Sequence, residues 1–272
     1  MAIRARPLHR PRHPAPARLR RPLRDRPAPD EARGKPPRAR TFAPLPIRRT
    51  RKTDRDIVSS ETATGLILRT RPLTETSLIV HWLTTAQGRV ATVAKGARRP
   101  KSTFRGKLDL FYLADFSFAR SRRSELHTLR EVSLRDTHPH LRENLHILQQ
   151  AAYCAALIEQ TTEMDTPLPG CFDLMQGFVA ELDRVAPQPR TVLAFELKLL
   201  DLLGLKPAAA ESSLSAGSRL ILERLARDDW PALSPLKLSA AQVHELRQFL
   251  HGFLIYHLGK FPAGRAAALA DG

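Results

Sequence analysis

The sequence predicts an α+β chain in which a five-stranded β-barrel precedes an α-helical bundle, with an N-terminal extension that has no core of its own. Three observations carry this reading. Residues 1–60 are rich in arginine and proline, residues 61–138 hold short apolar runs of period two between turn signals, and residues 139–272 shift to a period near 3.6. The 272 residues are 42% hydrophobic, enough for real cores over most of the chain.

The extension comes first. Of the 22 prolines, half lie between Pro7 and Pro46, interleaved with arginines as in Arg10-Pro11-Arg12. Too few apolar residues are present to offset the entropy of ordering, so residues 1–60 are expected to be disordered with local polyproline bias. They hold 18 Lys and Arg against 5 Asp and Glu, most of the formal charge of +17. Two readings stay open: a flexible cationic arm that raises non-specific affinity for nucleic acid, or a start placed too far upstream, with Val58 as an alternative. An organellar leader is a minor third, since serine is scarce.

Residues 61–138 read as all-β. Ala63–Thr70 and Thr76–Thr84 are strands around Pro72, and the second alternates Leu78, Val80 and Trp82 on one face with Ser77, Ile79 and His81 on the other. Gln87-Gly88 marks a hairpin into Arg89–Lys95. Leu108–Ala119 and Glu125–Val132 complete five strands, which fit a small OB-type barrel.

Between the third and fourth strands runs Gly96–Lys107, too polar and too broken to be a strand. From position 89 to 107 the chain carries Arg89, Lys95, Arg98, Arg99, Lys101, Arg105 and Lys107 and no acid. A run of one sign repels itself unless a polyanion neutralises it, so these seven residues are the candidate phosphate contacts. Gly96 and Gly106 permit close backbone approach, and Phe104 is open to two readings, stacking on a base or filling the core.

After His138-Pro139 the pattern is helical. Leu141, Leu145, Leu148, Ala152 and Ala155 form one face of a long helix, which Tyr153 and Leu157 widen; Phe172, Met175, Phe178, Val179 and Leu182 mark a second; Val192, Phe195, Leu199 and Leu202 a third. Gly204 and Pro207 stop the third helix. Ser239 and Gln242 form a capping box for a last helix through Leu246, Leu250, Phe253 and Leu254 to Gly259. The expectation is a bundle of four to six helices over residues 139–272, mildly acidic with 12 basic and 15 acidic residues from position 141 on.

No residue pattern announces catalysis. There is no GxxxxGK[ST] phosphate loop and no GxGxxG after a strand. His244-Glu245 lacks the second histidine of HExxH, because position 248 is Gln. His138 and His140 are read as structural, and Asp228 and Asp229 diverge on a helix, so no metal and no cofactor is expected. Cys154 and Cys171, without CxxC spacing, make no disulfide framework; Cys154 reads as buried, and Cys171 at a helix start reads as a thiol whose pKa the helix lowers. With no long uncharged apolar run, a membrane location is not expected, and a cytoplasmic one is.

Several phrases together resemble a known family. Thr64-Gly65-Leu66-Ile67-Leu68-Arg69-Thr70-Arg71, Thr74-Glu75-Thr76-Ser77, Val93 to Ser102 (VAKGARRPKS) and Phe195 to Leu205 (FELKLLDLLGL) are similar to the RecO family of bacterial recombination mediators. The resemblance spans roughly residues 62–262, and the AKGARRPKS stretch is its most specific part. It implies a non-catalytic protein that binds single- and double-stranded DNA, anneals complementary strands, and helps load RecA onto strands coated by single-strand DNA-binding protein. The implied partners are RecR, in some species RecF, and the C-terminal tail of single-strand DNA-binding protein, with the protein at the nucleoid.

One departure is plain. Many members follow the LLGL-like phrase with two CxxC pairs that hold zinc, whereas Ala208–Ser218 reads AAAESSLSAGS and has no thiolate to offer. From the residues alone, an RNA-binding or ribosome-associated barrel remains the alternative, since phosphate contacts do not read a 2′-hydroxyl.

Overall fold

The computed structural model describes residues 60–209 and 212–270; the expectations for the N-terminal extension fall outside these residues, apart from Ser60. Five strands, β1 (Ser60–Pro72), β2 (Leu78–Thr84), β3 (Arg89–Ala94), β4 (Leu113–Ala119) and β5 (Leu126–Asp136), close into a barrel in the order β1-β2-β3-β5-β4. The β3–β5 pair is parallel and the others antiparallel. The period-two pattern positions two cores at once. Ile67, Val80 and Trp82 point into the barrel with Phe116, Phe118 and Val132, while Leu66, Leu68 and Leu83 belong to the core shared with the helices. Trp82 stacks on Phe116 with ring centroids 4.0 Å apart, and its indole N–H donates to Thr92 Oγ1 at 2.9 Å, so the buried polar end is satisfied.

The fourth strand starts five residues later than its apolar run predicts. Phe111, buried and at φ 61°, turns the chain in the left-handed region, and its N–H donates to Ile67 O at 2.8 Å; residues 108–112 are therefore a connection laid against β1.

A 3-10 turn (Pro139–Arg142) leads into helices α1 (Leu145–Thr161), α2 (Cys171–Leu182), α3 (Pro189–Leu202), α4 (Ala216–Arg227), α5 (Trp230–Leu233), α6 (Ala240–Leu258) and α7 (Arg265–Ala268). Helix α3 lies at the centre, with ten of its residues buried. Of the apolar face expected for α1, Leu141, Tyr153, Ala155 and Leu157 are buried and Leu148 packs against the core, but Leu145 is 71% exposed and Ala152 exposed, and Ile147, Gln150, Ala151, Cys154 and Ile158 also face inward. Gln150 can sit there because its amide donates to Gln188 O and Ala268 O. Helix α4 was not expected from the sequence. The capping box of α6 forms as read, with both reciprocal bonds between Ser239 and Gln242 present.

Candidate nucleic-acid interface

The β3–β4 connection is built from consecutive tight turns. Backbone N–H groups of Ala97, Arg99, Ser102, Arg105 and Lys107 each donate to the carbonyl three residues earlier, so the segment has a defined path without being helix or strand. Gly96 and Gly106 sit at φ 70° and 72°, a region where a side chain is strained. Phe104 is 8% exposed and packs in the inner barrel core, which ties the segment over the barrel. Of its two readings the structure supports the core one, and the ring is not presented for stacking.

A second anchor comes from the β1–β2 turn. Thr74 Oγ1 accepts from Ser77 N at 3.1 Å, Thr76 O accepts from Arg98 N at 3.0 Å, and Ser77 Oγ accepts from Gly96 N at 3.3 Å. The Thr74–Ser77 phrase is thus the platform on which the AKGARRPKS segment rests. Thr76 and Ser77, expected to open the second strand, lie instead in the turn before Leu78, and nothing in the sequence said which distant loop that turn supports.

The seven candidate cations divide into three groups. Lys95, Arg98, Arg99, Lys101 and Arg105 are exposed. Among the described residues none of the five makes an ion pair; Arg98 donates to Thr74 O and Arg105 to Pro100 O, both at 3.3 Å, and the others make no side-chain hydrogen bond. Lys107 is half-buried and donates to Val132 O at 3.1 Å, which fixes it against β5. Arg89 corrects the expectation. It is 8% exposed, its Nε donates to Thr162 Oγ1 at 2.8 Å and its Nη2 to Thr162 O, so it joins the barrel to the end of α1 and is withdrawn from any phosphate surface.

Three other cations of the barrel are neutralised locally, Arg69 by Glu159 at 3.0 Å, Arg120 by Glu61 and Asp165 at 2.8 Å each, and Arg135 by Asp115 at 2.7 Å, whereas Arg71, Arg123 and Arg130 are exposed and make no ion pair among the described residues. What sets the loop apart is density, five unneutralised cations between Lys95 and Arg105 on an anchored backbone, an arrangement suited to a string of phosphates.

His138 is buried with Nδ1 2.7 Å from Phe111 O, and Asp228 accepts from Arg224 and Arg227, both structural roles. The lowered pKa expected for Cys171 is overturned: burial pushes its thiol up to about 11, outweighing the nearby Arg89. Within the stretch that lacks cysteines, Leu214 is buried, and Glu245 of α6 accepts from Ser215 N at 2.5 Å, Ser215 Oγ at 2.8 Å and the Ser218 hydroxyl. This carboxylate clasp caps the start of α4. Among the described residues no group of three or more His, Cys, Asp or Glu side chains converges on a metal position.

Known proteins with similar sequences agree with this architecture. Residues 58–138 match the family described as recombination protein O N terminal, and residues 142–213 match recombination protein O C terminal. A DNA repair protein RecO of Anaeromyxobacter dehalogenans is 29% identical over 236 residues, 74% of this chain and 93% of that protein. Those of Rhodopirellula baltica and Bacillus subtilis are 34% and 29% identical over 144 and 143 residues, in each case 53% of this chain. The matched stretch is 53% of the Rhodopirellula protein and 55% of the Bacillus one, so the chain spans about half the length of these two relatives. With the N-terminal match on the barrel and the C-terminal match on the helices that follow, the chain belongs to the RecO family.

Proposed function

We propose that the chain is a non-catalytic mediator of recombinational DNA repair, which binds single- and double-stranded DNA through Lys95, Arg98, Arg99, Lys101 and Arg105, with Lys107 at the margin. The observation that carries this reading is the exposure of those five cations without a carboxylate partner on a loop anchored at both the barrel core and the β1–β2 turn. Cations on a fixed surface screen two complementary strands from each other, which favours annealing. The helices then serve protein partners: RecR, RecF where present, and single-strand DNA-binding protein, with RecA loading as the outcome at the nucleoid.

The surface offered to the C-terminal tail of single-strand DNA-binding protein on this reading is a hollow of about 350 Å³ between the starts of α3 and α6, where Pro189, Leu238 and Val243 sit among Arg190, His244 and Arg247. No helix among the described residues is long and apolar enough to cross a membrane.

The test is an annealing assay on complementary strands coated with single-strand DNA-binding protein, using the full chain and one beginning at Val58. Accelerated annealing by both is expected. No acceleration by either removes the mediator reading, and equal competition by matched RNA favours the RNA-binding alternative.

A further inference from the structure

Arg89 is a largely buried charged side chain for which the described residues supply no ion-pair partner. Its Nη1 has no hydrogen-bond partner, and among the described residues no carboxylate lies within ion-pair distance of it. Glu159 acts on it from farther away, but that carboxylate is held by Arg69 at 3.0 Å. Arg265 shows what this fold does elsewhere with a buried guanidinium: 6% exposed, it donates to both oxygens of Glu196 at 2.7 and 2.8 Å. A guanidinium stays protonated even when burial disfavours its charge, so Arg89 is a fixed cation short of an anion.

Arg89 lines a hollow of about 240 Å³ between the β2–β3 hairpin and the connection from α1 to α2. The remaining walls are largely apolar, with Leu83, Leu168 and Phe172 among them. The shape is held by backbone contact, since a Cβ at Gly88 would lie 2.2 Å from Thr166 O. Three of the four threonine hydroxyls present are already committed, Thr84 to Gly88 O at 2.8 Å, Thr162 to Ile158 O at 2.7 Å and Thr166 to Met164 O at 3.2 Å. Cys171, which also lines the hollow, is a neutral thiol and supplies no negative charge.

One cation facing apolar walls selects one negative charge on an apolar body. A phosphate dianion would leave a charge uncompensated beside leucine and phenylalanine, and a neutral ligand would leave the guanidinium as it is. We propose that this hollow is a binding site for a small organic monocarboxylate, its carboxylate on Arg89 Nη1 and its apolar body between Leu83, Leu168 and Phe172. Occupancy ties the β2–β3 hairpin to the start of α2 and stabilises the barrel–helix junction.

The experiment titrates the full chain with phenylacetate, phenylacetamide and inorganic phosphate at matched ionic strength, by calorimetry and thermal unfolding. Saturable binding of phenylacetate with a rise in Tm is expected, with the amide weaker by about tenfold or more, the worth of a charge-assisted bond. Phosphate is expected to act no differently from chloride. Arg89→Gln should abolish the preference for acid over amide; should that variant fail to fold, Ala86→Trp at the rim of the hollow blocks access while keeping the guanidinium. The proposal is overturned by absence of saturable phenylacetate binding, by equal binding of the amide, by a phosphate effect as large, or by undiminished binding in Ala86→Trp.

Discussion

Two residues of the basic stretch show how far a local reading reaches. Arg89 and Phe104 lie among exposed cations in the sequence, yet both are buried, one against Thr162 and one in the barrel. Sequence spacing states that a residue is charged or aromatic; which way it turns depends on a neighbour 73 positions away for Arg89 and on barrel closure for Phe104. The consequence for Phe104 is measurable. Phe104→Ala should cost about 3 kcal/mol, the order expected for emptying a buried aromatic site, and lower the urea midpoint without changing the slope. Phe104→Leu keeps the plug and should leave DNA affinity within about twofold, whereas a base-stacking ring would lose ~1–3 kcal/mol of binding. A large loss in the leucine variant would return Phe104 to the interface.

At the scale of elements, what was legible is what local chemistry dictates. The five-strand count, the inward face of β2 and the Ser239–Gln242 capping box follow from alternation and capping. The α1 face was read only in part, with Leu145 and Ala152 placed inward in error, because alanines and leucines surround that helix and a glutamine takes an inward position only by virtue of carbonyls from α7 and the chain before α3. Helix α4 escaped because it follows a serine-rich stretch and shows Leu220 to solvent, with its partner Glu245 27 residues past Ser218. That clasp carries a pH signature. Hydrogen bonds from the Ser218 hydroxyl, then from Ser215, hold the Glu245 carboxyl below its ordinary range. The unfolded chain therefore takes up the proton first on acidification, so the contribution is present at neutral pH and lost as pH falls through the carboxylate range. Glu245→Gln should lower Tm at pH 7 and converge with the wild type in acid; an unchanged difference at low pH would mean that the carboxylate charge is irrelevant to α4.

Across the whole molecule, the barrel and the helices meet at a cationic junction. His81 is 9% exposed, and burial, with Arg69, Arg71 and Arg89 around it, brings its pKa down to about 4; Glu159, 3.9 Å away, is already engaged by Arg69. Because the unfolded chain binds this proton near pH 6.5, stability should fall as pH drops from about 6.5 to about 4 and level off below, by on the order of 3 kcal/mol at most. His81→Asn should flatten that interval; a variant as acid-sensitive as the wild type would place the titration elsewhere.

The cluster of five bare cations on the anchored β3–β4 loop is the feature on which the DNA-binding account stands. It is tested most directly by the salt dependence of DNA affinity, from about 50 to about 200 mM salt, for the wild type and for the triple variant Arg98→Ala, Arg99→Ala, Lys101→Ala. A control removes Lys206, Lys237 and Lys260 from the helical part, an equal loss of charge. At roughly 0.9 of log–log slope for each phosphate contact on duplex DNA, the loop variant should lose about 2–3 in slope and the control almost none. An unchanged slope in the loop variant, or an equal fall in both, would contradict the account.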